Sequence, residues 1–177
     1  MIQVIETELS GVFVVESALH TDERGFFART WCRRELTDQG LETEVAQMSL
    51  AHSQRRGTLR GLHYQASPYS EVKWVTCIRG TVFDVVVDLR QGSKTWGRWV
   101  AVTLVDASPR TMYIPQGCAH GYLTLSDDCV LSYMMSEFYH PEAARGVRWD
   151  DPQLDIAWPE AVVTISSRDR LLPGLTP

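Results

Sequence analysis

Short segments rich in Val, Ile, Thr and aromatic residues recur about every ten positions along this chain, and they leave little room for anything but β structure. They read GVFVVES, EVAQMSL, TLRGLHYQ, VKWVTCIRG, TVFDVVVDLR, GRWVAVTLV, RTMYIP, GYLTLS and CVLSYMMSEFY. Turn clusters such as RQGSKTWG and VDASPR separate them, which is the pattern of an all-β sandwich or barrel. Helical periodicity is scarce. RRELTDQG is expected to form about two turns ending at Gly40, and DDPQLDIAWPE about one more. Neither is long enough to cover a sheet face, so chemistry is expected inside or at the mouth of the β structure.

A chain of 177 residues suits one core of ordinary size and is short for two, so residues 1–177 are expected to form a single domain. Hydrophobic residues at 44% and charged ones at 22% argue against a disordered tail or a coiled coil. The net charge of -5 offers no general attraction to phosphate backbones, and nucleic acid is not an expected partner. Cys32, Cys77, Cys118 and Cys129 form no CxxC pair, and MIQVIETELS lacks a basic segment ahead of an apolar run. Reduced thiols in a cytoplasm fit both features. The apolar runs fall far short of the roughly 18 residues needed to cross a bilayer, so no membrane partner is expected.

Strand parity orients the side chains. In VKWVTCIRG it sends Lys73, Val75 and Cys77 to one face and Val72, Trp74 and Thr76 to the other. Lys73 then shares a face with apolar residues, although a lysine near a strand end can also run its stem along the sheet to solvent. In CVLSYMMSEFY an unbroken strand would send Tyr133 and Tyr139 to one face, either lining one cavity or filling a core. In TLRGLHYQ strict alternation would send Arg60 and His63 to opposite faces. For both to serve one pocket the strand must bulge, and Gly61 between them permits it. A strand histidine taken alone is otherwise a satisfied structural residue.

A set of motifs then carries a family likeness: DERGFF (22–27), GTLRGLHYQ (57–65), Lys73 ahead of RGTVFDVVVDLR, YIPQGCAHGY (113–122), the late-strand tyrosines, RWDDP (148–152) and SSRD (166–169). In order and spacing, over about residues 10 to 173, the chain resembles the dTDP-4-dehydrorhamnose 3,5-epimerase family. The resemblance implies a cupin-type jelly-roll β sandwich with a few short helices. It also implies a homodimer acting on nucleotide-diphosphate 4-keto-6-deoxyhexoses in deoxysugar assembly, with no metal or organic cofactor. Proton exchange beside a ketone needs a base, a group that holds the enolate oxygen, and an acid on the opposite ring face.

Carried over by position, the resemblance makes His63 the base, Asp169 its partner carboxylate, Lys73 the cation at the oxyanion and Tyr133 the acid. It places Arg24, Arg60 and Arg168 at the diphosphate, with the Arg24 region reaching the partner subunit's site, and Phe27 beside Arg24 in the same motif. Tyr139 is expected on the nucleobase, His120 in the sugar pocket, and Gln47 and Ser49 among the substrate contacts. Arg29 stands where the rhamnose-pathway enzymes carry a glutamate against the base, and Ser49 where they carry an asparagine. The nucleobase, and inversion at C3, C5 or both, therefore stay open. A ketoisomerase of cupin fold, or a sugar-nucleotide-binding cupin without turnover, are the other readings. PQGCAH (115–120) fits the second cupin metal motif, but His63 is followed by Tyr64 and Gln65, and Lys73 occupies a ligand glutamate's place. An ammonium there repels a cation, and no metal is expected.

Overall fold

The computed structural model describes residues 1–176. In chain order the elements are β1 (Ile2–Glu6), β2 (Phe13–Ser17), β3 (Leu19–Asp22), β4 (Gly25–Ala28), α1 (Arg33–Thr37), β5 (Gln47–Ser53), β6 (Thr58–Gln65), β7 (Lys73–Arg79) and β8 (Thr81–Asp88). They continue with β9 (Trp99–Val105), β10 (Arg110–Ile114), β11 (Cys118–Thr124), β12 (Cys129–Met135), β13 (Ala144–Gly146), β14 (Thr164–Ile165) and α2 (Ser167–Arg170). One sheet runs β1-β2-β10-β7-β12-β5, and the other β13-β6-β11-β8-β9 with β14 parallel to β6. Strands distant in sequence lie side by side in both, as a jelly roll requires.

The apolar alternation decides which side of each strand is buried. Val75, Cys77 and Leu131 of the first sheet meet Val82, Val86 and Tyr122 of the second in the central core. β8 is buried on both faces, because Val85 and Val87 point outward under Val147, Leu154 and Leu175. That explains the three consecutive valines of FDVVVD, Val85 to Val87, which alternation alone would not produce. On the outer face of the first sheet, Val15, Trp74 and Tyr113 pack against Leu36 of α1 and Leu41. Each such aliphatic side chain contributes about 1.5–3 kcal/mol by leaving water, which gives α1 its stability despite its single turn.

Two expectations from the sequence are corrected here. No helix forms over residues 150–160: the Asp151 carbonyl closes a single turn with Leu154 and Asp155, and Asp155 takes φ +45°. The Asp151 carboxylate instead accepts the N–H groups of Gln153 and Leu175, tying the turn to the chain end. β12 ends at Met135, so Tyr139 lies on a loop and strand parity does not place it.

Candidate active site

The strand β6 carries the bulge that Gly61 was expected to permit. His63 faces His120 and Arg60 faces Tyr122 across the ladder, so three steps along β6 match two along β11. Gly61 adopts φ +129°, and a Cβ there would lie 2.5 Å from the Cα of Gly121. Only a glycine facing a glycine lets the backbones approach this closely. The extra residue turns Arg60 and His63 to the same side, along a cleft they share with Arg168 and Asp169.

His63 donates from Nε2 to Oδ1 of Asp169 at 2.8 Å, which leaves Nδ1 as the atom able to accept a proton. The imidazole is 39% exposed and the carboxylate 6%. Asp169 sits on α2, whose N-cap is the Ser166 hydroxyl, accepting the Asp169 N–H at 3.0 Å. Its Oδ2 accepts the Gly61 N–H, so the bulge also orients the carboxylate. Burial pushes this carboxyl up, but the hydrogen bond and charge of His63 and the Gly61 N–H together bring it below its ordinary value.

A cavity of about 340 Å³ opens beside His63. Lys73 lines it from β7, Gln47 and Ser49 from β5, Tyr133 from β12, and Tyr139 and Arg168 from the loop and helix that flank its mouth. Lys73 faces inward as parity predicts, and its stem does not run out to solvent: the side chain is 11% exposed, 3.0 Å from Glu71 Oε1. Its Nζ donates to the His63 carbonyl at 3.1 Å. Burial pushes the Tyr133 phenol well above its ordinary value, with Tyr122 and Asp84 adding to the shift and Arg60 opposing it. That phenol keeps its proton at neutral pH. The Tyr139 N–H is held by the Gln47 side chain. Arg60 donates to the His52 carbonyl and the Ser53 hydroxyl, lying in the adjoining cleft.

Four expected site residues lie elsewhere within one chain. Arg24 and Phe27 are on the exposed β3–β4 hairpin, where Arg24 pairs with Asp22 and Phe27 is 70% exposed. Arg29 pairs with Glu35 on the surface. His120 does not line the cavity: it is buried edge-on against the Tyr133 ring and bonded to Asp84 at 2.8 Å. Conversely, Glu71 and Arg145 line the cavity without belonging to any motif, and Gln65, the last residue of the 57–65 motif, lines it without having been assigned a role. The alternation that turns Lys73 inward reaches back to Glu71, and is the one signal in the sequence that points to it. Arg145 arrives on the three-residue β13 opposite Tyr64, a pairing with no local signature. Among the described residues no group of three or more His, Cys, Asp or Glu side chains is placed to hold a metal ion.

A carboxylate-bound imidazole, a buried ammonium and a protonated phenol thus surround one cavity of a cupin-type jelly roll, and comparison with known proteins places this fold among the carbohydrate epimerases. The sequence model described as dTDP-4-dehydrorhamnose 3,5-epimerase matches residues 6–176. The chain belongs to that family. It is 44% identical over 169 residues to the dTDP-4-dehydrorhamnose 3,5-epimerase of Methanothermobacter thermautotrophicus, covering 94% of this chain and 90% of the relative. The crystal structure of the Bacillus anthracis enzyme of that name, with TDP and PPi bound, superimposes with a TM-score of 0.96 at 34% identity, covering 99% of this chain and 100% of that one. A 3'-monoepimerase from Streptomyces bikiniensis, in complex with dTDP-quinovose, superimposes with a TM-score of 0.90 at 35% identity, covering 96% and 86%. No helix is long and apolar enough to cross a membrane among the described residues.

Proposed function

We propose that the chain epimerises a nucleotide-diphosphate 4-keto-6-deoxyhexose by removing and returning a proton at a carbon beside the C4 ketone. The observation that carries this reading is the shared cavity of His63, fixed at 2.8 Å by Asp169, with Lys73 and Tyr133. His63 takes the carbon-bound proton, and Asp169 stabilises the imidazolium that results. Lys73 holds the negative oxygen of the enolate in a site screened from water, a contribution on the order of 3 kcal/mol to the transition state. Tyr133 delivers a proton to the opposite ring face, inverting the centre.

The cations are arranged for a substrate with a charged end. Arg168 lines both clefts and Arg60 the adjoining one, so these two guanidiniums are the cations that receive the diphosphate. Tyr139 stacks on the base at the cavity mouth. The hairpin bearing Arg24 and Phe27 completes the site of a second subunit in a homodimer, which accounts for aromatic side chains left exposed on a two-stranded ribbon. Relatives with TDP or dTDP-quinovose bound support a thymidine nucleotide, while Arg29, turned to Glu35, contributes nothing to the base within its own chain.

The test is incubation in deuterium oxide with dTDP-, CDP-, UDP- and GDP-linked 4-keto-6-deoxyhexoses, followed by NMR. Label at C3, C5 or both, with the ketone still at C4, is the expected result. Migration of the carbonyl would make the chain a ketoisomerase, and tight binding without label would make it a binding protein.

A further inference from the structure

Glu71 has no part in the chemistry above, yet its carboxylate lines the cavity, is 10% exposed, and stands 3.0 Å from the ammonium of Lys73. Its second oxygen accepts from Gln65 Nε2 at 3.2 Å. Gln65 is itself held fast: the two hydrogens of Nε2 are shared among Glu71 and the carbonyls of Tyr69 and Phe138, each carbonyl at 3.0 Å, and Oε1 accepts the His140 N–H at 2.6 Å. A carboxylate gripped by a side chain that spans two loops is a rigid support.

We propose that Glu71 is a positioning residue that aims the Lys73 ammonium at the ketone oxygen of the substrate, an inference that rests on the epimerase reading. A lysine ends in three N–H groups on a flexible four-carbon stem. The His63 carbonyl accepts one of them, Glu71 sits against a second side, and a donor remains for the cavity. The contact has a cost, since a carboxylate beside the ammonium offsets part of the attraction that Lys73 offers an oxyanion. Its gain is direction. A cation misplaced by about 1 Å can cost about 100-fold in rate, so a fixed donor of reduced net charge outperforms a wandering one of full charge. Gln65 extends the same support to the loop that carries Tyr139, so the nucleotide end and the oxyanion end of the cavity share one hydrogen-bonded frame.

The experiment compares Glu71→Ala and Glu71→Gln with wild type by steady-state kinetics and by a double-mutant cycle with Lys73→Ala. Glutamine keeps an oxygen toward Nζ while surrendering the charge and the second oxygen, whose bond from Gln65 is the weaker of the two contacts at 3.2 Å. The expected result is a kcat lowered about 10- to 100-fold in E71A with KM within about threefold, rescue in E71Q to within about threefold, and no further loss from E71A in the K73A background. An E71A enzyme of unchanged kcat overturns the proposal. So do a loss confined to KM, a loss in E71Q as deep as in E71A, or additive losses in the cycle. Should E71A fail to fold, Glu71→Asn, which withdraws the acceptor by one methylene, carries the same comparison. Wild-type protein that exchanges no substrate proton ends both readings, whereas normal wild-type exchange with indifferent variants ends only this one.

Discussion

His63 and His120 are cross-strand neighbours on β6 and β11, and each turns Nε2 to its own carboxylate at 2.8 Å, Asp169 for the first and Asp84 for the second. The first pair opens on the cavity. The second is sealed, and burial pushes the Asp84 carboxyl up while His120 opposes the shift. Two like pairs side by side thus have different consequences. His63→Asn is expected to lower exchange about 1000-fold and to cost less stability than the sealed pair, because the imidazole is 39% exposed and Asp169 keeps the Gly61 N–H. His120→Asn leaves a buried carboxylate without its partner and is expected to cost about 3 kcal/mol of stability, read by denaturant unfolding. A stable H120N protein would show that the inner pair is dispensable to the fold.

Tyr133 offers a way to separate proton removal from inversion. Tyr133→Phe keeps the ring against His120 and deletes the hydroxyl proposed as the acid. If His63 still abstracts the proton and returns it to the face it came from, solvent label enters without inversion. Epimer formation is expected to fall about 100- to 10000-fold while exchange persists. Equal loss of both would assign Tyr133 to the abstraction step.

The bulge at Gly61 is open to a direct test. Alanine would place its Cβ 2.5 Å from Gly121 Cα, in a backbone region at φ +129° that L-residues avoid. Gly61→Ala is expected to cost about 2–4 kcal/mol and, by shifting His63 relative to Arg60, to reduce activity in whatever protein remains folded. Unchanged stability would mean that β6 can straighten at this point.

Acid should weaken the Asp169 contribution. Its folded carboxyl lies below the ordinary value of 3.8, so the folded chain binds fewer protons there than the unfolded one. The stabilisation is fully present above about pH 4 and is lost as pH falls through the folded value. The stability gap between wild type and Asp169→Asn, measured in urea from about pH 7 to about pH 2, is therefore expected to narrow with acid. A gap that widens would reverse the sign of the argument.

The hairpin can be tested by complementation. If Arg24 serves the partner's site, chains with Arg24→Ala and chains with His63→Asn are each inactive, but mixed dimers hold one intact site. Remixing equal amounts is expected to restore about a quarter of wild-type activity. No recovery from dimers that exchange subunits would confine each site to one chain.

Much of this architecture is legible along the chain. Valine-rich and aromatic stretches at regular intervals, broken by Gly, Pro and Asp, define strands whose two faces follow from a period of two, so Lys73 falls on the face of Val75 and Cys77 by local pattern. Its head stays inside only because Glu71 and the His63 carbonyl hold it there. Gly61 signalled a bulge for the same local reason, since only an interruption of alternation brings Arg60 and His63 together. What the tertiary structure decided concerns residues far apart in sequence. Asp169 reaches His63 across 106 positions on a one-turn helix that no hydrophobic pattern announces. His120 was drawn behind Tyr133 because β11 is buried throughout. Tyr139 left the strand yet kept its place at the cavity, and Glu71 found Gln65 and Lys73 together. Alternation and turn chemistry are local properties that a sequence states outright, whereas strand neighbours and the partners of buried charge are settled only when the packing of the whole core selects one arrangement.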